Sequence, residues 1–147
     1  MRGGALLVLA ALAGCRPNPR NEIAAVAQAA MAQAVADAPG KRLCVEHAIA
    51  PWQPAAVAHR VDPPAPPGFA PLLADGVFRG GGGLKGQDVA GVTVGSGPGC
   101  FRLHGPLVAG DRAMIEVRVP GVGWNVWLRK TEADWRVVMT TTSVYPA

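Results

Sequence analysis

The sequence predicts an α+β domain: one long N-terminal helix packed on an antiparallel meander sheet of about four to six strands. Two observations carry this. Behind Asn21 runs an alanine-rich stretch with apolar residues at helical spacing, ended by Pro39-Gly40. In the last third of the chain, three segments alternate apolar and polar residues and are joined by connections of hairpin length.

The helix is expected over Glu22 to Ala38, with Asn21 suited to cap it and Pro39-Gly40 unable to continue it. Ile23, Ala27, Ala30, Met31 and Ala34 share one face, and Glu22, Gln33 and Asp37 share a polar stripe. The small alanine side chains permit close approach to a sheet. The Lys/Arg face of a membrane-surface helix is missing. Arg42 to Ile49 alternates as a strand, with Leu43, Val45, His47 and Ile49 on one side and Cys44, Glu46 and Ala48 on the other. The prolines from Pro51 to Pro71 exclude regular structure there, while Trp52 and Phe69 suit that segment to lie over the domain.

A short helical turn is expected over Ala70 to Asp75, and Gly80 to Gly83 reads as a flexible break. Val89–Val94 and Cys100–His104 are expected as strands. Arg112–Val119 follows with Ile115, Val117 and Val119 inward, then Trp124–Lys130 with Trp124, Val126 and Leu128 inward. Trp135–Thr142 closes the meander with Trp135, Val137 and Met139 inward.

The run from Asp111 to Val138, passing from Leu128-Arg129-Lys130 through a polar hairpin into Trp135-Arg136-Val137, resembles the last strands of cystatin-like and nuclear-transport-factor-like folds. The resemblance implies the same α+β layering. It implies no particular activity, because such folds host unrelated functions.

At the N-terminus, Met1-Arg2 precedes an unbroken apolar run from Ala5 to Ala13, well short of the roughly 20 residues that span a bilayer. Charge and length are those of a signal peptide. Leu12-Ala13-Gly14-Cys15 resembles the lipobox of bacterial lipoproteins at all four positions. That resemblance implies a signal peptide over residues 1–14 and a diacylglycerol thioether on Cys15, whose thiol is the nucleophile. Residues 15–21 would be the lipidated Cys and a proline-stiffened tether, and residues 22–147 a single domain with an irregular proline-rich segment over 51–71. The expected partner is the membrane, through the lipid on Cys15, with the domain in the cell envelope facing the periplasm. Arg16 after the lipidated Cys resembles the pattern sorted to an outer membrane.

The chain carries 14 basic and 10 acidic residues, net +4. The basic residues are scattered, so no nucleic-acid footprint is present. Cys44 and Cys100 are an even pair in an exported protein, which points to a disulfide. Closing a loop of about 57 residues would stabilise the fold by about 4 kcal/mol in the chain-entropy account. The rival, a two-thiol metal site, has only His47 and His104 near either cysteine in sequence.

Gly81-Gly82-Gly83-Leu84-Lys85-Gly86 fits a dinucleotide pattern but lacks a strand before it and a helix after it. Ser96 sits among glycines, yet Val94 stands where a nucleophile elbow needs glycine. No cofactor follows from either motif. His47, His59 and His104 are the only imidazoles: His47 is expected as a packing or sheet-edge residue, His59 with Asp62 as a loop pair, His104 as a strand end. Should a chemical pocket exist, His47, His104 and Glu46 are its candidates. Trp127 points opposite to Trp124 and Val126, toward either a second packed layer or a contact surface. These features imply a lipid-anchored envelope protein with a binding or structural role, an envelope protein being the candidate partner. The alternative is a periplasmic enzyme or small-ligand binder with a pocket between helix and sheet. A pocket lined by His47 or His104 would favour the enzyme, and a filled helix–sheet core the binding or structural role.

Overall fold

The computed structural model describes residues 18–53, 65–74, 77–84 and 89–144. The lipobox with Cys15, the signal segment, His59 and Asp62, and Lys85-Gly86 of the glycine motif lie outside the described residues. Among the described residues, no helix is long and apolar enough to cross a membrane.

A 3-10 turn, Pro19–Glu22, leads into helix α1, Ile23–Asp37. The expected cap on Asn21 does not form: Asn18 caps the 3-10 turn, its side chain accepting from the Arg20 backbone N–H at 3.0 Å, and α1 itself has no side-chain cap. Proline at the first turn position suits this, since its missing N–H would have had no partner there. The helix buries Val26, Ala27, Ala30 and Met31. Gly40, at φ +77°, turns the chain out of the helix.

Seven strands follow: β1 Leu43–Ala50, β2 Gly82–Gly83, β3 Val92–Gly95, β4 Phe101–Ala109, β5 Arg112–Val119, β6 Val122–Thr131 and β7 Asp134–Val144. They form one mixed sheet ordered β2-β1-β4-β5-β6-β7, with β3 also paired to β1. The expected meander of four to six strands describes only β4 to β7, where every neighbour is antiparallel. β1 instead runs parallel to both β3 and β4. Parallel neighbours need a long crossover, and the segment between Ala50 and Phe101 supplies it.

Two further corrections concern glycine. The run Gly80–Gly83 is no free break: Gly82 and Gly83 pair with Ile49 and Ala48 as β2. At Gly80, φ is +81° and a Cβ would stand 1.9 Å from the Gly105 carbonyl oxygen, so only glycine lets these backbones meet. β4 does not end at His104 but runs on through Gly105-Pro106 to Ala109, with an irregular register between His104 and Leu107.

The helix covers one face of the sheet. Val45, Leu103, Ile115, Val126, Leu128 and Trp135 pack there against Val26, Ala27, Ala30 and Met31. Each fully buried aliphatic side chain contributes about 1.5–3 kcal/mol. On the opposite face, Trp52, Phe69 and Leu72 close over Leu107, Met114 and Trp127. Trp52 and residues 65–74 thus belong to a third, irregular layer, with a 3-10 turn at Ala70–Leu73. Met139 does not point inward as expected. A register shift in β7 opposite Trp127 and Leu128 inserts one residue, and Val138 and Met139 stand 51% and 44% exposed.

Cys44 and Cys100 form a disulfide between β1 and the start of β4, with Cα atoms 4.5 Å apart.

Candidate functional site

Toward the C-terminal end of α1 the helix and sheet part. Ala30, Ala34 and Ala38 recur at four-residue spacing along this side, and their small methyl groups leave space beside the sheet unfilled. The result is a cleft of about 250 Å³. Its floor is apolar: Leu43 from β1, Phe101 from β4, Val117 from β5, and Trp124 and Val126 from β6. The Phe101 and Trp124 rings meet edge to face, centroids 5.9 Å apart, which fixes both walls. Thr140 of β7 contributes a hydroxyl at one side. Gln33 and Asp37 stand at the helix side, where Gln33 Nε2 donates to Asp37 Oδ1 at 2.9 Å. Among the described residues, Asp37 is the only ionisable side chain lining the cleft.

The imidazoles expected at a chemical pocket are elsewhere. His47 is exposed on β1, its ring so close to Gly83 that a Cβ there would stand 3.0 Å from Cε1. Of the two placements expected for it, packing beside Val45 and Ile49 is not seen, and its ring lies against strand β2 at the side of β1. His104 lies on β4 opposite Glu116 of β5. Glu46 is held by Arg102, whose Nε donates at 3.2 Å. Among the described residues no three His, Cys, Asp or Glu side chains gather as a metal site.

Trp127 is 2% exposed, so the contact surface expected as one option gives way to the packed layer. Its ring meets Phe69 edge to face at 5.6 Å, and its Nε1 donates to Thr141 Oγ1 at 2.9 Å. The Arg112 guanidinium lies over the other partner, Phe69, at 5.6 Å.

One polar feature went unnoticed in the sequence. Glu116 is fully buried and accepts from Arg118 Nε at 2.6 Å. The two share a strand face through their i, i+2 spacing, and that alternation was the available signal. Arg118 and Arg102 border a second, more open cavity of about 600 Å³ beside the disulfide, with Glu46 and Cys100. Both arginines already face a carboxylate, Arg102 that of Glu46 and Arg118 that of Glu116.

Compared with protein-family models, curated proteins and solved structures, the chain matches none.

Proposed function

We propose that this chain is a bacterial lipoprotein, held in the cell envelope through Cys15, whose domain binds a small molecule without transforming it. The observation that carries the binding role is the helix–sheet cleft, apolar along its floor and, among the described residues, lined by no His, Cys, Lys or Arg. A cleft with few polar groups converging on an apolar floor suits orientation and burial of a ligand. Acid–base or nucleophilic catalysis asks for a positioned pair of reactive groups, and Asp37 stands there with only Gln33 for a partner. The cleft lies roughly 10–22 Å along the helix axis from the end that joins the tether, at 1.5 Å per residue. In an anchored protein that separation leaves the cleft clear of the lipid attachment.

A second reading, docking onto another envelope protein, is favoured by the exposed Val138 and Met139 on edge strand β7.

The test is native mass spectrometry of the full-length protein held in lipid nanodiscs, in wild type, an Ala34→Phe variant that fills the cleft, and a His47→Gln/His104→Gln double variant. The binding reading expects a retained small molecule in wild type and in the double histidine variant, and its loss from the filled cleft. Retention in the filled variant, or turnover that depends on either histidine, would overturn it.

A further inference from the structure

Resting on the cleft-binding reading above, we infer that the ligand is a small amine-bearing amphiphile, with one aryl or short alkyl group inside the cleft and its ammonium at Asp37. Size, charge and helix polarity each point this way.

An apolar cavity of about 150 Å³ takes one benzene ring. The 250 Å³ here therefore suits an apolar group of roughly ten carbons by the same scale. A diacyl lipid is far too large. Trp124 and Phe101, edge to face with one another, both line that space, which suits an aromatic guest as well as an alkyl one.

The charge pattern excludes an acid. Among the described residues Asp37 is the only ionisable group in the lining, and the nearest basic residues in sequence, Lys41 and Arg42, are exposed beyond the turn and do not line the cleft. Among the described residues of the lining, a carboxylate or phosphate head would meet no cation and would sit against Asp37. A carboxylate accepts about four hydrogen bonds, and Gln33 uses one of those of Asp37, which stands exposed at the rim of the cleft.

The helix supplies the independent observation. α1 ends at Asp37 with no basic residue in its last turn. The C-terminal end of a helix carries roughly half a negative charge from its unpaired carbonyls. An aspartate there opposes the helix dipole and disfavours the empty state. A bound ammonium reverses this, because it meets the carboxylate and the helix terminus together.

The experiment uses three near-isosteric probes: 2-phenylethylamine, 2-phenylethanol and phenylacetate. Each is titrated by calorimetry at neutral pH into full-length protein in nanodiscs, with empty nanodiscs as the blank. The expected order is amine, then alcohol, then acid, with the acid at least tenfold weaker than the amine. Asp37→Asn should bring the amine to within about twofold of the alcohol and leave the alcohol unchanged. Ala34→Phe should remove all three, with Ala34→Leu as a milder filler should the larger ring impair folding. Equal binding of acid and amine, or an amine indifferent to Asp37→Asn, overturns the ligand class while the cleft stands. Binding of no probe, or binding that survives both fillers, overturns the cleft reading itself.

Discussion

Trp135 Nε1 donates to Glu22 Oε2 at 2.7 Å, joining residues 113 positions apart. Lys130 Nζ donates to the other oxygen of the same carboxylate, also at 2.7 Å. One side chain at the head of α1 is therefore fastened to both strands of the β6–β7 hairpin, and its own backbone is left without a side-chain cap.

Removing that carboxylate should destabilise the fold by about 1–2 kcal/mol, since hydrogen bonds to a charged group are the stronger kind and partial exposure weakens the ion pair. Urea unfolding of Glu22→Ala against wild type measures it. No change would mean that water replaces both donors at no net cost.

The same contact makes stability depend on pH. The Lys130 hydrogen bond, then that of Trp135, lower the Glu22 pKa below its ordinary 4.5, with the Lys130 charge adding and burial opposing. A carboxyl whose folded pKa is depressed contributes fully above its unfolded value and loses that contribution as pH falls through the folded one. Wild-type stability should thus fall below about pH 4.5 more steeply than that of Glu22→Gln. Parallel curves for the two proteins in acid would refute the assignment.

Reducing the Cys44–Cys100 bond, which spans 56 positions, should cost about 4 kcal/mol. Guanidinium unfolding with and without reductant reads this, and alkylation followed by mass spectrometry should find both thiols blocked before reduction.

Trp127→Ala should cost about 3–5 kcal/mol as a large-to-small change in a buried layer. Trp127→Phe keeps most of the packing and should lose only about 1 kcal/mol for the Thr141 hydrogen bond. Limited proteolysis should cut the segment around Phe69 faster in the alanine variant, because that segment packs against the missing ring. Equal cutting rates would separate the layer from Trp127.

Cys15→Ser should abolish lipidation and leave the precursor uncleaved. Metabolic labelling with an alkyne fatty acid and intact-mass measurement test this. Label carried by the serine variant would remove the anchor from the proposal.

The strands β5 to β7 were legible because each alternates along its length and each connection is short; the expected Arg112–Val119 coincides with β5. The helix and the cysteine pair were legible for equally local reasons. The parallel placement of β1 was not, since strand order depends on where a long connection brings the chain back and not on the alternation of Leu43 to Ala50. β2 was hidden because Gly82 and Gly83 have no side chains to alternate. Met139 was misplaced because a one-residue shift in β7 reverses every face that follows it. As for the cleft, Ala30, Ala34 and Ala38 announce small side chains in either case, whether the layers close on them or part around them. Only the tertiary arrangement distinguishes the two.

The Glu22 clamp also decides how the domain bears tension. A pull applied at Asn18 reaches Glu22 before any turn of α1, and from there it divides between the helix and the β6–β7 hairpin through Lys130 and Trp135. The helix need not carry the whole load, so unravelling from its first turn is no longer the easiest failure. Forced unfolding is governed by the unfolding barrier rather than by equilibrium stability. Single-molecule pulling from this end should therefore show a lower rupture force for Glu22→Gln than its modest equilibrium loss suggests. The clamp is a strain relief at the point where the cord enters the housing.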